Sequence, residues 1–230
     1  QTLSFLKSNE PMKIHIALLL ACSPLCGISF AQTTQSYPDA TNDLGSGIGV
    51  GDFPHINIAS VNVTVDASAT TITFRINLQG SPMDTGGSNW GKYLVGIRSA
   101  GGGTATGNGW NRPINFAPGM TRWIGTWADA GGETCGGEIF TYTGGWASSG
   151  TPTVTKDSTG VTITTSVASL GLDPGETFAF DVYTTGGGGS DSAVDALSAS
   201  GPSITSWGST FTTNTVGGTP NPARTFTMPG

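Results

Sequence analysis

Four apolar residues, Ile72, Phe74, Ile76 and Leu78, alternate with Thr73, Arg75 and Asn77. A period of two places alternate side chains on one face of an extended chain. The run therefore predicts a strand with one face buried and one in water. Just upstream, Val61, Val63 and Val65 alternate with Asn62 and Thr64. The intervening Asp66-Ala67-Ser68-Ala69 predicts a hairpin turn. Ile56 and Ile58 are out of phase with Val61, which predicts a bulge near Ala59-Ser60. Further strands are expected over 93–98, 122–128, 138–143, 161–165 and 178–183, with late ones over 204–211 and 225–228. Glycine clusters such as Gly101-Gly102-Gly103 and 186–189 separate them as turns. No stretch has a sustained helical period; 190–197 and 167–170 are expected to give a turn or two at most. Many short strands with glycine-rich turns predict an all-β fold, a two-sheet antiparallel β-sandwich, jelly-roll or immunoglobulin-like, with little helix. One domain is expected over 32–214, followed by a flexible C-terminal segment over 215–230.

The N-terminal part reads differently. Met12-Lys13 is a charged start, 14–21 an apolar run, and Ser29-Phe30-Ala31 a small-x-small cleavage site before Gln32. This layout predicts a signal peptide over 12–31, too short in its apolar part to span a bilayer. Residues 1–11 then read as upstream translation without structure. Leu19-Leu20-Ala21-Cys22 is similar to a lipoprotein acylation box, but Leu20 is a poor fit there, and cleavage after Ala31 is the preferred reading. The expected localisation is secreted and extracellular.

Composition narrows the partners. The chain carries 9 basic against 15 acidic residues, a net charge of −6. That balance argues against nucleic acid and anionic lipid as partners. Six Trp and ten Phe argue for a packed core rather than disorder. Beyond the leader only Cys135 remains, so no internal disulfide is possible there.

Three segments together carry a family resemblance. Asp39-Ala40-Thr41-Asn42-Asp43 and then 52–57 run into the 58–78 hairpin. Later, 170–178, Leu-Gly-Leu-Asp-Pro-Gly-Glu-Thr-Phe, leads into Ala179-Phe180-Asp181-Val182. This order resembles the DOMON-like β-sandwiches, which include family-9 carbohydrate-binding modules. The resemblance implies a secreted, non-catalytic domain that binds sugars or haem and often carries structural calcium. The middle of the chain, 90–97 with 107–113, is similar to bacterial secreted proteins bearing a PEP-CTERM sorting tail. No such tail follows in 227–230, so cell-surface anchoring is expected only if a tail is missing.

Catalysis finds little support. His55 is the one histidine beyond the leader, and no nucleophile elbow accompanies it. Glu133 and Glu138 are two carboxylates on a glycine-rich loop, but nothing fixes the separation a glycosidase needs. Haem would have to draw on His55 with Met83, Met120 or Met228 and ranks below sugar binding. Calcium takes oxygen ligands from loops. Asp39, Asn42 and Asp43 form one candidate cluster, and Asp181, Asp191 and Asp195 a second, each with Asx-turn chemistry as the plainer reading. Indole faces stack on sugar rings. Trp90, Trp110 and Trp146, beside Gly, Asn or Ser, are the candidate platform, with Asn108, Asn111 and Arg112 as polar contacts. Trp123 and Trp127 share one strand face and read as core. The functional expectation is a carbohydrate or cell-surface glycan binding module with structural calcium, and no enzyme. The alternative is a structural protein of a bacterial envelope or biofilm matrix with no small-molecule ligand.

Overall fold

The computed structural model describes residues 31–45, 53–83, 89–129, 134–201 and 203–230. The expected leader, apart from Ala31, lies outside the described residues, as do Cys22, Asp52 and Glu133. In chain order the strands are β1 (Thr33–Pro38), β2 (Ile58–Val65), β3 (Thr71–Leu78), β4 (Lys92–Arg98), β5 (Ile114–Phe116), β6 (Arg122–Trp127) and β7 (Gly136–Tyr142). They continue as β8 (Trp146–Gly150), β9 (Thr153–Asp157), β10 (Gly160–Ser166), β11 (Thr177–Thr185), β12 (Ala193–Ala196), β13 (Phe211–Thr213) and β14 (Arg224–Thr227).

Two antiparallel sheets pack as a sandwich. The first has the order β1-β2-β3-β10-β9. The second runs β12-β11-β4-β6-β7-β8, with β14 also paired to β11. β5 and β13 form a small parallel pair. The β2–β3 hairpin closes as its pattern requires. Asp66 Oδ1 accepts the N–H groups of Thr70 and Thr71, both at 2.8 Å. The register shifts between Ile58 and Ser60, at the expected bulge. Val61, Val63, Val65, Phe74 and Ile76 turn inward onto Val95, Ile97, Ile124, Phe180 and Val182 of the second sheet, all fully buried.

The central strands β4 and β11 of the second sheet are buried on both faces. Leu94, Trp123 and Tyr183 point away from the sandwich into a second core with Ile114, Phe116, Met120 and Phe211. This second layer is carried by the long connections 99–121 and 186–223. The first sheet is covered on one face only. Its open face carries a row of threonines in register across every strand: Thr34, Thr64, Thr73, Thr164 and Thr153.

Three expectations need correction. Residues 190–197 are not helical: Ala193–Ala196 is an edge strand on β11, which satisfies backbone groups a short polar helix would leave to water. The strand expected over 204–211 is reduced to Phe211–Thr213, because 204–210 folds as turns. The segment 215–230 is not a loose tail. Asn214 N–H bonds Asn221 O around a turn, β14 joins the sheet, and Phe226 and Met228 are buried in the main core. Residues 167–170 do hold a single 3-10 turn, Ala168–Leu170.

Candidate functional site

Three rows on the outer face of the second sheet build the site. Lys92, Trp127 and Gly136 are opposite one another on β4, β6 and β7; Leu94, Gly125 and Glu138 form the next row, and Gly96, Trp123 and Phe140 the third. Glycine in a strand interior permits close approach from above. A Cβ on Gly125 would lie 2.4 Å from the Trp110 indole, and one on Gly136 2.7 Å from that of Trp127. Both rings therefore lie down against the sheet. They stack on each other with centroids 6.3 Å apart and planes 22° apart. Trp110 Nε1 donates to Glu138 Oε2 at 3.0 Å, which fixes the ring's orientation.

Asn108 shapes the loop that delivers Trp110. Its Oδ1 accepts the N–H groups of Trp110 and Arg112, and its Nδ2 donates to Arg112 O and Ile114 O. With both ends of the amide engaged and 3% exposure, Asn108 positions the site rather than contacting a ligand. Arg112 is also buried. Its Nη1 donates to Thr185 Oγ1, Gly188 O and Asp191 O, and its guanidinium lies 5.6 Å from the Trp110 ring centre. Asn111 is exposed, at φ 53°.

Trp110, Trp127, Arg112, Lys92 and Gly189 line an open recess of about 320 Å³. That is within the size range of small-ligand pockets. Trp127, expected in the core, is half-buried and forms one wall, so the even spacing with Trp123 identified the face correctly but not its cover. Trp90 lies elsewhere, edge-on to Phe53, His55 and Trp207. Trp146 packs edge-on against Tyr142. Neither lines the recess. A second hollow of about 330 Å³, with Ser203, Thr212, Asn214 and Asn221 in its wall, contains no indole face.

The two acidic clusters regroup. Asp39, Asp43 and Asp195 converge so that one carboxylate oxygen of each lies within 4.8 Å of the others. The loop after β1 is held by Asn57 Nδ2 on Thr41 O and by Gly45 N–H on Val194 O. β12 is held against the start of β2 through Asp195 Oδ2, which accepts Ile58 N–H at 2.6 Å. Among the described residues, both carboxylate oxygens of Asp39 and of Asp43, and Oδ1 of Asn57, are buried without a hydrogen-bond partner. Burial, reinforced by the Asp195 and Asp43 charges, pushes the Asp39 carboxyl up to about 9. Burial raises Asp43 to about 6. Burial and then the Asp43 charge drive Asp195 well above the usual carboxylate range.

The remaining acidic residues stand apart from that cluster. Asn42 is exposed. Asp191 accepts Gly188 N–H and shapes its own loop. Asp181 is fully buried and accepts the N–H groups of Val182 and Ser198 and the Thr213 hydroxyl. It adds negative field to Asp39 and Asp195 without an oxygen free to serve as a ligand. Buried acids lacking partners are costly. A hard cation with oxygen ligands is the chemistry that relieves such a cluster, and Asp39, Asp43, Asp195 and Asn57 supply fitting donors.

His55 is wedged between Phe53 and Trp90, and its Nε2 has no partner among the described residues. Burial lowers its proton affinity. Cys135 is half-buried, with its thiol donating to Ala128 O. Among the described residues no helix is long and apolar enough to cross a membrane.

The fold and site thus define an all-β sandwich with an indole-walled recess on its second sheet and an acidic cluster at its edge. No family model, no curated protein and no solved structure matches this chain.

Proposed function

We propose that this chain is a non-catalytic, secreted glycan-binding module, with the recess between Trp110 and Trp127 as its binding site and calcium at Asp39, Asp43 and Asp195. The observation that carries the reading is the stacked indole pair, held flat by Gly125 and Gly136 and left open on one side. Flat aromatic surface bordered by a few polar groups is what a pyranose ring needs, because its C–H faces stack while its hydroxyls seek donors and acceptors. The calcium rests on the orphaned oxygens of Asp39, Asp43 and Asn57, and its role is structural: it ties the β1–β2 loop to β12.

The test is a titration of the protein's tryptophan fluorescence with soluble oligosaccharides, neutral and acidic. A saturable change, lost in Trp127→Ala with the melting temperature preserved, supports the module. A folded protein that responds to no glycan removes it.

The alternative is a structural protein of an envelope or biofilm matrix. The threonine row across the open face of the first sheet favours it, because an uncovered, hydroxyl-bearing surface on which Arg75 and Asp157 neutralise each other suits assembly. Concentration-dependent self-association, abolished by replacing Thr64 and Thr73 with lysine and unaffected by Trp127→Ala, would support that reading instead.

A further inference from the structure

We infer that the recess selects an acidic sugar, a uronate residue bearing a free carboxylate, an inference that rests on the glycan-binding reading above. Two of the chain's nine basic residues meet at this one recess of an acidic protein. Neither forms an ion pair with a carboxylate of the described residues; the ion pair seen there is Arg75–Asp157, on the first sheet. Among the described residues, Lys92 Nζ donates to one partner, the Trp90 carbonyl at 2.9 Å. Arg112 is 5% exposed, and among the described residues its Nε is buried without a partner.

The nearby acids are turned to other tasks. Asp191 faces its own loop through Gly188 N–H, and Asp129 Oδ2 accepts Asn89 N–H. Glu138 is held by the Trp110 indole N–H. Two like charges brought together and partly desolvated repel each other, and an arriving anion relieves that repulsion. At Lys92 burial and then the Arg112 charge lower the ammonium's proton affinity, with the Asp129 charge opposing them in part, and at Arg112 the Asp191 charge opposes burial in the same way. The indoles accept the ring of the sugar, and Lys92 at the rim, with the Arg112 charge buried behind it, meets its carboxylate. A neutral sugar would make the first contact and leave the second unmet. A carboxylate on a planar or rim-bound cation makes a charge-assisted hydrogen bond, roughly twice as strong as a neutral one.

Calorimetric titration with short oligogalacturonates and with their methyl esters tests the inference. The two ligands share ring, linkage and stacking face and differ in charge. The full chain should bind the acid at least about tenfold more tightly than the ester, the scale of one charge-assisted contact. Lys92→Met, which keeps the apolar stem, should bring the affinity for the acid down to that for the ester. Equal affinity for acid and ester overturns the inference and leaves the glycan site standing, as does a preference that survives Lys92→Met. Binding of neither, in a chain shown folded by its melting transition, removes the glycan site and the inference with it.

Discussion

Gly125 and Gly136 are small residues with a large consequence. Placed where strands favour bulk, they let two indoles lie on the sheet where side chains would otherwise stand. Gly125→Ala forces the Cβ into Trp110, and overpacking of this kind costs about 1–3 kcal/mol. The expected outcome is a lowered melting temperature together with a displaced Trp110, read as a shifted tryptophan emission. A variant with unchanged emission and stability would show that Trp110 does not rest there. The sequence makes part of this legible. A glycine between Trp123 and Trp127 signals close approach, but which ring approaches depends on a loop fixed by Asn108. At the acidic cluster the same limit applies. Asp39 and Asp195 are far apart in the chain, and only the folded path of β12 brings them together. Asp43→Asn carries a sign that separates metal holding from packing. In chelator it should melt above the unaltered chain, because one buried negative charge is gone, and calcium should no longer raise its transition. A variant that melts lower in chelator would make Asp43 a packing residue.

At the scale of elements, the strands legible from period two are those with one wet face, β2, β3 and β10. β4 reads as an apolar run because both its faces are covered, by the main core and by the second core, and β11, covered in the same way, still alternates Phe178, Phe180 and Val182 with Ala179, Asp181 and Tyr183. Of the strands that escaped the pattern, β1, β8, β9 and β12 lie at the edges of the two large sheets, and the three-residue β5 lies in the small parallel pair. β1, β8 and β9 are largely exposed and polar, which erases the alternation. β12 is buried throughout but short, and its Asp195 breaks the apolar run. β14 is the element whose role the sequence understated most, since its glycine- and proline-rich approach suggests a tail. Phe226 is 1% exposed and packs with Phe178 at 5.7 Å between ring centres. Phe226→Ala should cost about 3–5 kcal/mol, as large-to-small changes in cores do. For a domain of this size that lowers the melting temperature by roughly 10 °C. A change of a degree or less would place β14 outside the cooperative fold.

For the whole molecule, the acidic cluster sets how stability depends on pH and on calcium. In the metal-free chain Asp39 and Asp43 hold protons up to about 9 and about 6. The unfolded chain releases them near the ordinary aspartate value of about 4. Between those limits the unfolded state binds fewer protons than the folded one, so stability falls as pH rises. In chelator the melting temperature should therefore decline from about pH 5 to about pH 8. Calcium holds the carboxylates ionised when bound, so the decline should vanish in its presence. At a calcium concentration one hundred times its dissociation constant the gain is about 2.7 kcal/mol, or roughly 5–10 °C for a domain of this size. A melting curve indifferent to both calcium and pH would show that the cluster holds no ion and carries no buried charge.

The most direct measurement of the central claim is a crystal structure of the chain grown with calcium and soaked with an oligogalacturonate. The account predicts a sugar ring stacked in the recess of Trp110 and Trp127 with its carboxylate toward Lys92. A ring bound on the threonine face or in the hollow beside Asn214, with the indole recess empty, would contradict it.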